Sequence, residues 1–190
     1  MHHNDLTFFT NEPERDLYSR FSKILNSYTQ FFDILVGYFR TSGFFNLYQS
    51  MQDIEKIRVL VGLNVDRRTI DIINQAEAEI AFEVLSHKEA KEAIGTLIEE
   101  EFTESEDSYQ VEKGVRIFID WLKSGKIEMR MYTETPIHAK VYIMRKNLKL
   151  VPDMYGSVIT GSSNFSEAGL KNNLEFNVEL KDSRDVEFAL

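Results

Sequence analysis

The segment Ile137-His138-Ala139-Lys140-Val141-Tyr142-Ile143 decides the fold. Its apolar residues alternate with His138, Lys140 and Tyr142, the period of two that marks a half-buried strand. Ile137, Ala139, Val141 and Ile143 fall on one face, and the other three on the opposite one. Residues two apart on a strand lie about 6.5–7 Å apart. An imidazole and an ammonium at that spacing can both reach one phosphate, unless this is only the wet side of an edge strand. The strand is expected from Ile137 to Arg145.

A second alternating stretch follows at Leu174–Lys181. Leu174, Phe176, Val178 and Leu180 face one side, and Glu175, Asn177 and Glu179 the other. If the two strands share a sheet and a face, a carboxylate comes near the imidazole. A carboxylate on Nδ1–H fixes the tautomer and leaves Nε2 as nucleophile or base; a solvated polar face is the competing reading. Between them, strand Ser157–Thr160 runs through Gly161-Ser162-Ser163-Asn164-Phe165-Ser166 into a short helix at Ser166–Lys171. Such a turn offers N–H groups, hydroxyls and an amide to an anion. Gly156 to Ser163 scans as a phosphate loop with serine where lysine belongs, so it is not a nucleotide site.

Upstream, a helix is expected from Asp16 to Ser27, a strand at Phe31–Phe39, and a helix capped by Ser42 that buries Phe44, Leu47, Tyr48, Met51 and Ile54. A strand Ile57–Leu63 follows, then helix from Arg67 to Glu101 broken near Ser86-His87. A helix opened by Asp107-Ser108 carries Val111, Val115, Phe118 and Leu122 and stops at Ser124-Gly125. Lys126–Thr133 is the next strand. The order gives an α/β (α+β) class: a mixed sheet covered by helices on both faces. The expected divisions are a lead-in and helix at 1–30, the main domain at 31–181, and at 182–190 the start of a helix that leads into a further domain.

The 190 residues are 43 % hydrophobic and contain no cysteine, which permits a real core and excludes disulfides, thiolate metal sites and a cysteine nucleophile. Neither a signal peptide nor a membrane span is apparent, so the expected setting is cytoplasmic and without membrane contact. The net charge of −9 is uneven. Residues 76–108 hold eleven acids and two lysines, whereas 111–150 hold nine Lys/Arg against four acids. That local excess suits a polyanion better than the total does. No His/Asp/Glu set has metal-ligand spacing, so neither metal nor cofactor is expected.

His138-Ala-Lys140, then Gly161-Ser162-Ser163-Asn164, then Glu175 in Asn173-Leu-Glu-Phe-Asn-Val together resemble the phospholipase D superfamily, whose signature is H-x-K-x4-D followed by G-S-x-N. Leu35-Val-Gly-Tyr-Phe-Arg-Thr-Ser-Gly-Phe44 and Ile57–Gly62 extend the likeness, which covers Phe31 to Lys181. The wording is most similar to the domain that precedes the motor of certain bacterial superfamily-two helicases. The resemblance implies metal-independent phosphodiester chemistry through a phosphohistidine. It makes His138 nucleophile or acid, Lys140 and Asn164 a phosphate clamp with Ser162 and Ser163 beside them, and Glu175 the orienter of His138. It also implies a nucleic-acid partner, DNA before RNA, with Arg40, Arg145, Lys146 and Lys149 as candidate backbone contacts. A non-catalytic nucleic-acid-binding accessory is the alternative, and a lipid phosphodiesterase ranks last. Two departures stand out. Position 145, where the signature has an acid, is Arg145, and an inserted hairpin, Met144 to Gly156, includes Asp153. The chemistry needs two histidines, and one chain offers one motif, because His2 and His3 are terminal and His87 has no H-x-K partner. Catalysis therefore implies a two-fold dimer.

Overall fold

The structure, a computed structural model, describes residues 8–12, 16–27, 29–65, 71–77, 108–132, 134–149 and 155–190. Seven strands form one mixed sheet: β1 (Phe8–Thr10), β2 (Thr29–Phe39), β3 (Lys56–Val65), β4 (Ile127–Met131), β5 (Lys140–Lys146), β6 (Gly156–Gly161) and β7 (Phe176–Leu180). Their order is β1-β7-β6-β5-β2-β3-β4, with β2, β3 and β4 parallel and the other pairings antiparallel. Among the described residues the helices are α1 (Leu17–Leu25), α2 (Thr41–Leu47) continued by a 3₁₀ turn (Tyr48–Met51), the stretch 71–77, α3 (Ser108–Lys123), a π-helical turn (Ala168–Asn172) where a short helix is expected, and α4 (Ser183–Ala189). The class expected from the sequence is the one observed. Most of the helix expected at Arg67–Glu101, the Asp107 cap and Asp153 lie outside the described residues.

Local signals explain the helix ends. The Asp16 carboxylate caps α1 by accepting the Ser19 N–H at 2.8 Å. Leu17, Phe21, Ile24 and Leu25 form its buried stripe. The Ile24 carbonyl at its other end accepts from the Ser27 N–H at 3.0 Å, from Thr29 Oγ1 at 2.7 Å and from Lys146 Nζ at 3.4 Å. Ser42 is not the cap of α2. Arg40 holds that position without a side-chain bond, and the Ser42 hydroxyl instead accepts the Glu167 N–H at 3.2 Å. The α2 stripe is buried as expected, its spacing carried on by the tighter 3₁₀ turn. After α3, Gly125 adopts φ +72° and its N–H reaches the Leu122 carbonyl at 3.0 Å, the left-handed stop that glycine permits.

The sheet buries both faces unequally. Phe32, Ile34, Val36, Val59, Tyr142 and Ile159 enter the main core with α1, α2 and α3, where the Phe44 ring meets Phe118 at 4.7 Å and Trp121 at 5.3 Å. Val141, Ile143, Val158 and Leu180 form a second, smaller cluster with Val186 of α4. The His138/Lys140/Tyr142 face is therefore no wet edge, since Tyr142 and Met144 point into the main core. On β7 the apolar and polar faces are reversed from expectation. Asn177 and Glu179 are 1 % and 2 % exposed, whereas Leu174 and Phe176 are 69 % and 53 % exposed. Specific partners make this tolerable, because buried polar groups must be hydrogen-bonded. Asn177 Nδ2 donates to Ser163 Oγ at 3.0 Å; Glu179 accepts from Arg20 Nε at 2.7 Å and Ser157 Oγ at 2.8 Å.

The topology then delivers His138. β4 is an edge strand and β5 lies inside the sheet beside β2, so the chain must cross the ends of β3 and β2 to connect them. Two glycines permit the crossing. A Cβ on Gly62 would stand 3.3 Å from the Ile137 carbonyl oxygen; one on Gly37 would stand 3.3 Å from His138 Cα and overlap that same oxygen. The Gly37 N–H anchors the passage by donating to the Ala139 carbonyl at 3.0 Å. Gly37→Ala should therefore displace residues 137–139. The expected result is a fall in any His138-dependent rate of about a hundredfold, read by steady-state kinetics beside a thermal melt that shows a folded protein.

Candidate functional site

Strand directions bring the relevant segments to one end of the sheet. β2 and β6 finish there, while β5 and β7 begin there. Val141 pairs with Thr160, and Gly161 pairs with Asn177, so Lys140, Gly161 and Asn177 sit on three neighbouring strands. Thr160 Oγ1 locks the first of these by donating to the Lys140 carbonyl at 2.9 Å. This is the carboxyl end of the parallel strands, where open α/β sheets place their ligands.

His138 precedes β5 rather than lying within it, and it is exposed. Its Nδ1 stands 3.1 Å from Lys140 Nζ, and Lys140 also donates to the His138 carbonyl at 3.1 Å. An ammonium has only donors, so Nδ1 accepts in this contact and the proton of the neutral ring resides on Nε2. That tautomer points an N–H outward; a general acid is the imidazolium, which is protonated on Nδ1 as well and cannot accept from Lys140 there.

Glu175 does not orient His138. Its carboxylate accepts from Ser162 Oγ and from Asn173 Nδ2, the latter at 3.3 Å. The Phe176 N–H in turn donates to Ser162 Oγ at 3.1 Å, and the Ser162 N–H donates to the Phe176 carbonyl at 3.0 Å. Of the expected group His138, Lys140, Asn164 and Glu175, the structure pairs His138 with Lys140, and Glu175 with Ser162. Because the imidazole lies on the incoming crossing rather than in the β5 ladder, strand periodicity alone could not fix its partner.

Asn164 is half-buried, and its Oδ1 is a buried acceptor with no hydrogen-bond partner among the described residues. Ser163 faces inward, fully buried. Its hydroxyl takes the Asn177 amide and its carbonyl takes the Tyr142 hydroxyl at 2.7 Å, so it has no surface to offer an anion. Burial, and secondarily the Glu175 charge, pushes the Tyr142 phenol well above its usual value, which keeps that hydroxyl a donor.

The candidate backbone contacts divide. Arg40 is exposed, lies over the Tyr38 ring at 4.9 Å, and its N–H joins the Phe165 carbonyl at 3.0 Å, next to the site loop. Lys149 is exposed on the β5–β6 connection. Arg145 and Lys146 belong to β5 itself, not to the hairpin tip. Arg145 Nε pairs with Asp33 Oδ2 at 3.0 Å, and its guanidinium lies over Phe31 at 4.5 Å. Lys146 is buried against the carbonyls of Ile24 and Ser27, and burial pulls its ammonium below the ordinary value. Neither is placed to follow a polyanion. Position 145 is five residues from Lys140, about 16 Å along the strand and on the opposite face. The missing acid of the signature therefore leaves the site end untouched. Among the described residues, no group of three or more His, Asp or Glu is placed to hold a metal ion, and no helix is long and apolar enough to cross a membrane.

A mixed seven-stranded α/β sheet with an H-x-K crossing beside a G-S-S-N turn defines a phospholipase-D-like class of protein. The profile of the family described as cardiolipin synthase, PLD-like domain, matches residues 22–189, and the chain belongs to that family. NucT from Helicobacter pylori is a structural neighbour at 13 % identity and TM-score 0.50, aligned over 96 % of this chain and 88 % of its own. Nuc from Salmonella typhimurium aligns at 14 % identity and TM-score 0.48 over 96 % and 86 %. Yeast tyrosyl-DNA phosphodiesterase aligns at 12 % identity and TM-score 0.48 over 90 % of this chain, which spans 31 % of that enzyme's length. No curated protein matches.

Proposed function

We propose that this chain is a metal-independent phosphodiesterase acting on nucleic acid, working as a two-fold pair. The observation that carries the reading is the contact of His138 with Lys140 at the sheet end where the Ser162–Asn164 turn also lies. In the proposed cycle, His138 Nε2 of one copy attacks phosphorus, forming a P–N bond as the P–O bond to the leaving group breaks. The leaving oxygen takes the Nε2 proton of a second copy's His138, which enters as an imidazolium and becomes a neutral imidazole. Water then attacks phosphorus, gives a proton to that second imidazole, and the P–N bond breaks. The attacking ring needs its proton on Nδ1 and the acid is protonated on both nitrogens, so in either role the Lys140 contact with Nδ1 must open. Lys140 and Asn164 are the groups that would stabilise charge on the phosphoryl oxygens.

Nucleic acid is favoured over lipid by the cationic excess of 111–150 and by exposed Arg40, whose N–H joins the Phe165 carbonyl beside the site turn. The resemblance to helicase-linked domains makes a longer helicase chain the natural context of this reading. A non-catalytic nucleic-acid-binding module is the second reading, favoured by Glu175 being held by Ser162 rather than by the imidazole. The test combines cleavage of a single- and a double-stranded oligonucleotide in EDTA with the solution mass, and includes phosphatidylglycerol vesicles as the lipid arm. EDTA-resistant cutting by a dimer supports the enzyme. Salt-sensitive binding without cutting, lost in Lys140→Ala, supports the module. Lipid turnover alone contradicts both.

A further inference from the structure

Within Ser162–Asn164 the middle residue, Ser163, faces wholly inward, and both of its oxygens are held by buried side chains from different strands. Tyr142 and Asn177 supply those donors, and strand geometry ties each to a site residue. Tyr142 lies two residues beyond Lys140 on β5, and Asn177 two beyond Glu175. On a strand, residues two apart share a face. The turn is thus pinned at its middle by the same two strands that present the lysine and the carboxylate. Gly161 lets the third strand approach, since a Cβ there would stand 2.6 Å from Asn177 Oδ1 and 2.8 Å from Asn177 Cα. Asn177 keeps this place although its own Oδ1 has no partner. An unsatisfied buried acceptor costs stability, so the amide is retained here at a cost that its bond to Ser163 must offset.

We propose that Tyr142 and Asn177 are positioning residues that hold the Ser162 and Asn164 side chains in fixed register with His138 and Lys140. The proposal rests on the phosphodiesterase reading above and extends it to two residues that touch no substrate. Groups that stabilise charge developing on a phosphoryl oxygen must be held rigidly, because the interaction counts most in the transition state. Loosening the turn therefore lowers kcat more than it raises KM.

Tyr142→Phe removes only the donor to the Ser163 carbonyl, and Ser163→Ala only the acceptor of the Asn177 amide. Each is read by EDTA-resistant hydrolysis of bis(p-nitrophenyl) phosphate, by affinity for a short oligonucleotide, by hydrogen exchange at the Ser162 amide and by a thermal melt. The expected result is a fall in kcat of about ten- to a hundredfold, KM within about twofold, unmoved pH–rate limbs and exchange about tenfold faster. If the wild type binds but does not cut, the same tenfold loss is read in oligonucleotide affinity. Wild-type cleavage with variants unchanged in rate and exchange overturns the positioning role while the phosphodiesterase reading stands. A wild type that neither cuts nor binds overturns both, and faster exchange in the variants then marks the tethers as purely structural. A shifted pH limb in Tyr142→Phe also overturns the proposal, because it makes the phenol a proton carrier.

Discussion

His138→Ala should abolish EDTA-resistant cleavage, by at least about a thousandfold, since it removes the group asked both to attack phosphorus and to protonate the leaving oxygen. The sharper result comes from mixing. Each proposed reaction uses one imidazole from each of two copies, so a hybrid of one wild-type and one His138→Ala chain has no complete site. When the two are dissociated and reassembled at random in equal amounts, about a quarter of the pairs are fully wild type. Activity per total protein should then fall to that quarter. Dilution with an unrelated protein halves it. A linear decline across mixing ratios would mean that each chain acts alone, and the argument from histidine number would fail with it. Fluorescently tagged chains, scored for subunit exchange before assay, check that hybrids have formed. Within one copy the Lys140 ammonium approaches Nδ1 at 3.1 Å, a contact that either catalytic role must open.

The strands were readable because apolar runs and alternation are local properties, and β2 to β7 fall where they place them, within a few residues. The G-S-S-N turn and its neighbours were equally local. What escaped the sequence was set by partners far along the chain. Asn177 and Glu179 read as a solvent face, yet they are buried because Ser163 and Arg20 lie against them, and Arg20 is 159 residues from Glu179. Lys146 read as a candidate nucleic-acid backbone contact, yet it closes the carbonyl end of a helix far away in sequence. β1 is three residues long, too short to show a period, and exists only as a partner of β7. Glu175 was legible as a carboxylate near the site, but its choice of Ser162 over His138 depends on how the crossing before β5 lies over Gly37 and Gly62. Residue types announce chemistry; contacts between segments decide which pairs form.

The same logic predicts the largest stability effect. Glu179 sits in the main core at the centre of a polar knot, with Arg20 of α1 on one side and Ser157 of β6 on the other. Its carboxylate ties a surface helix to the middle of the sheet. Removing the carboxylate takes this partner from the Arg20 guanidinium in a low-dielectric setting, and that cost exceeds the small net value of the bond itself. Glu179→Ala should lower the unfolding free energy by about 3–5 kcal/mol, a large fraction of the roughly 5–15 kcal/mol typical of a domain. The urea midpoint should drop, with an unchanged denaturant slope if the transition stays two-state. Replacing the knot as a whole, with Arg20→Met, Ser157→Ala and Glu179→Leu together, should recover most of the loss, because no buried charge is then left unpaired. A triple variant weaker than the single one would show that the knot itself supplies net stability. The single variant at wild-type stability would mean instead that water reaches Arg20 once the carboxylate is gone, and that the α1–sheet contact is looser than the buried geometry implies.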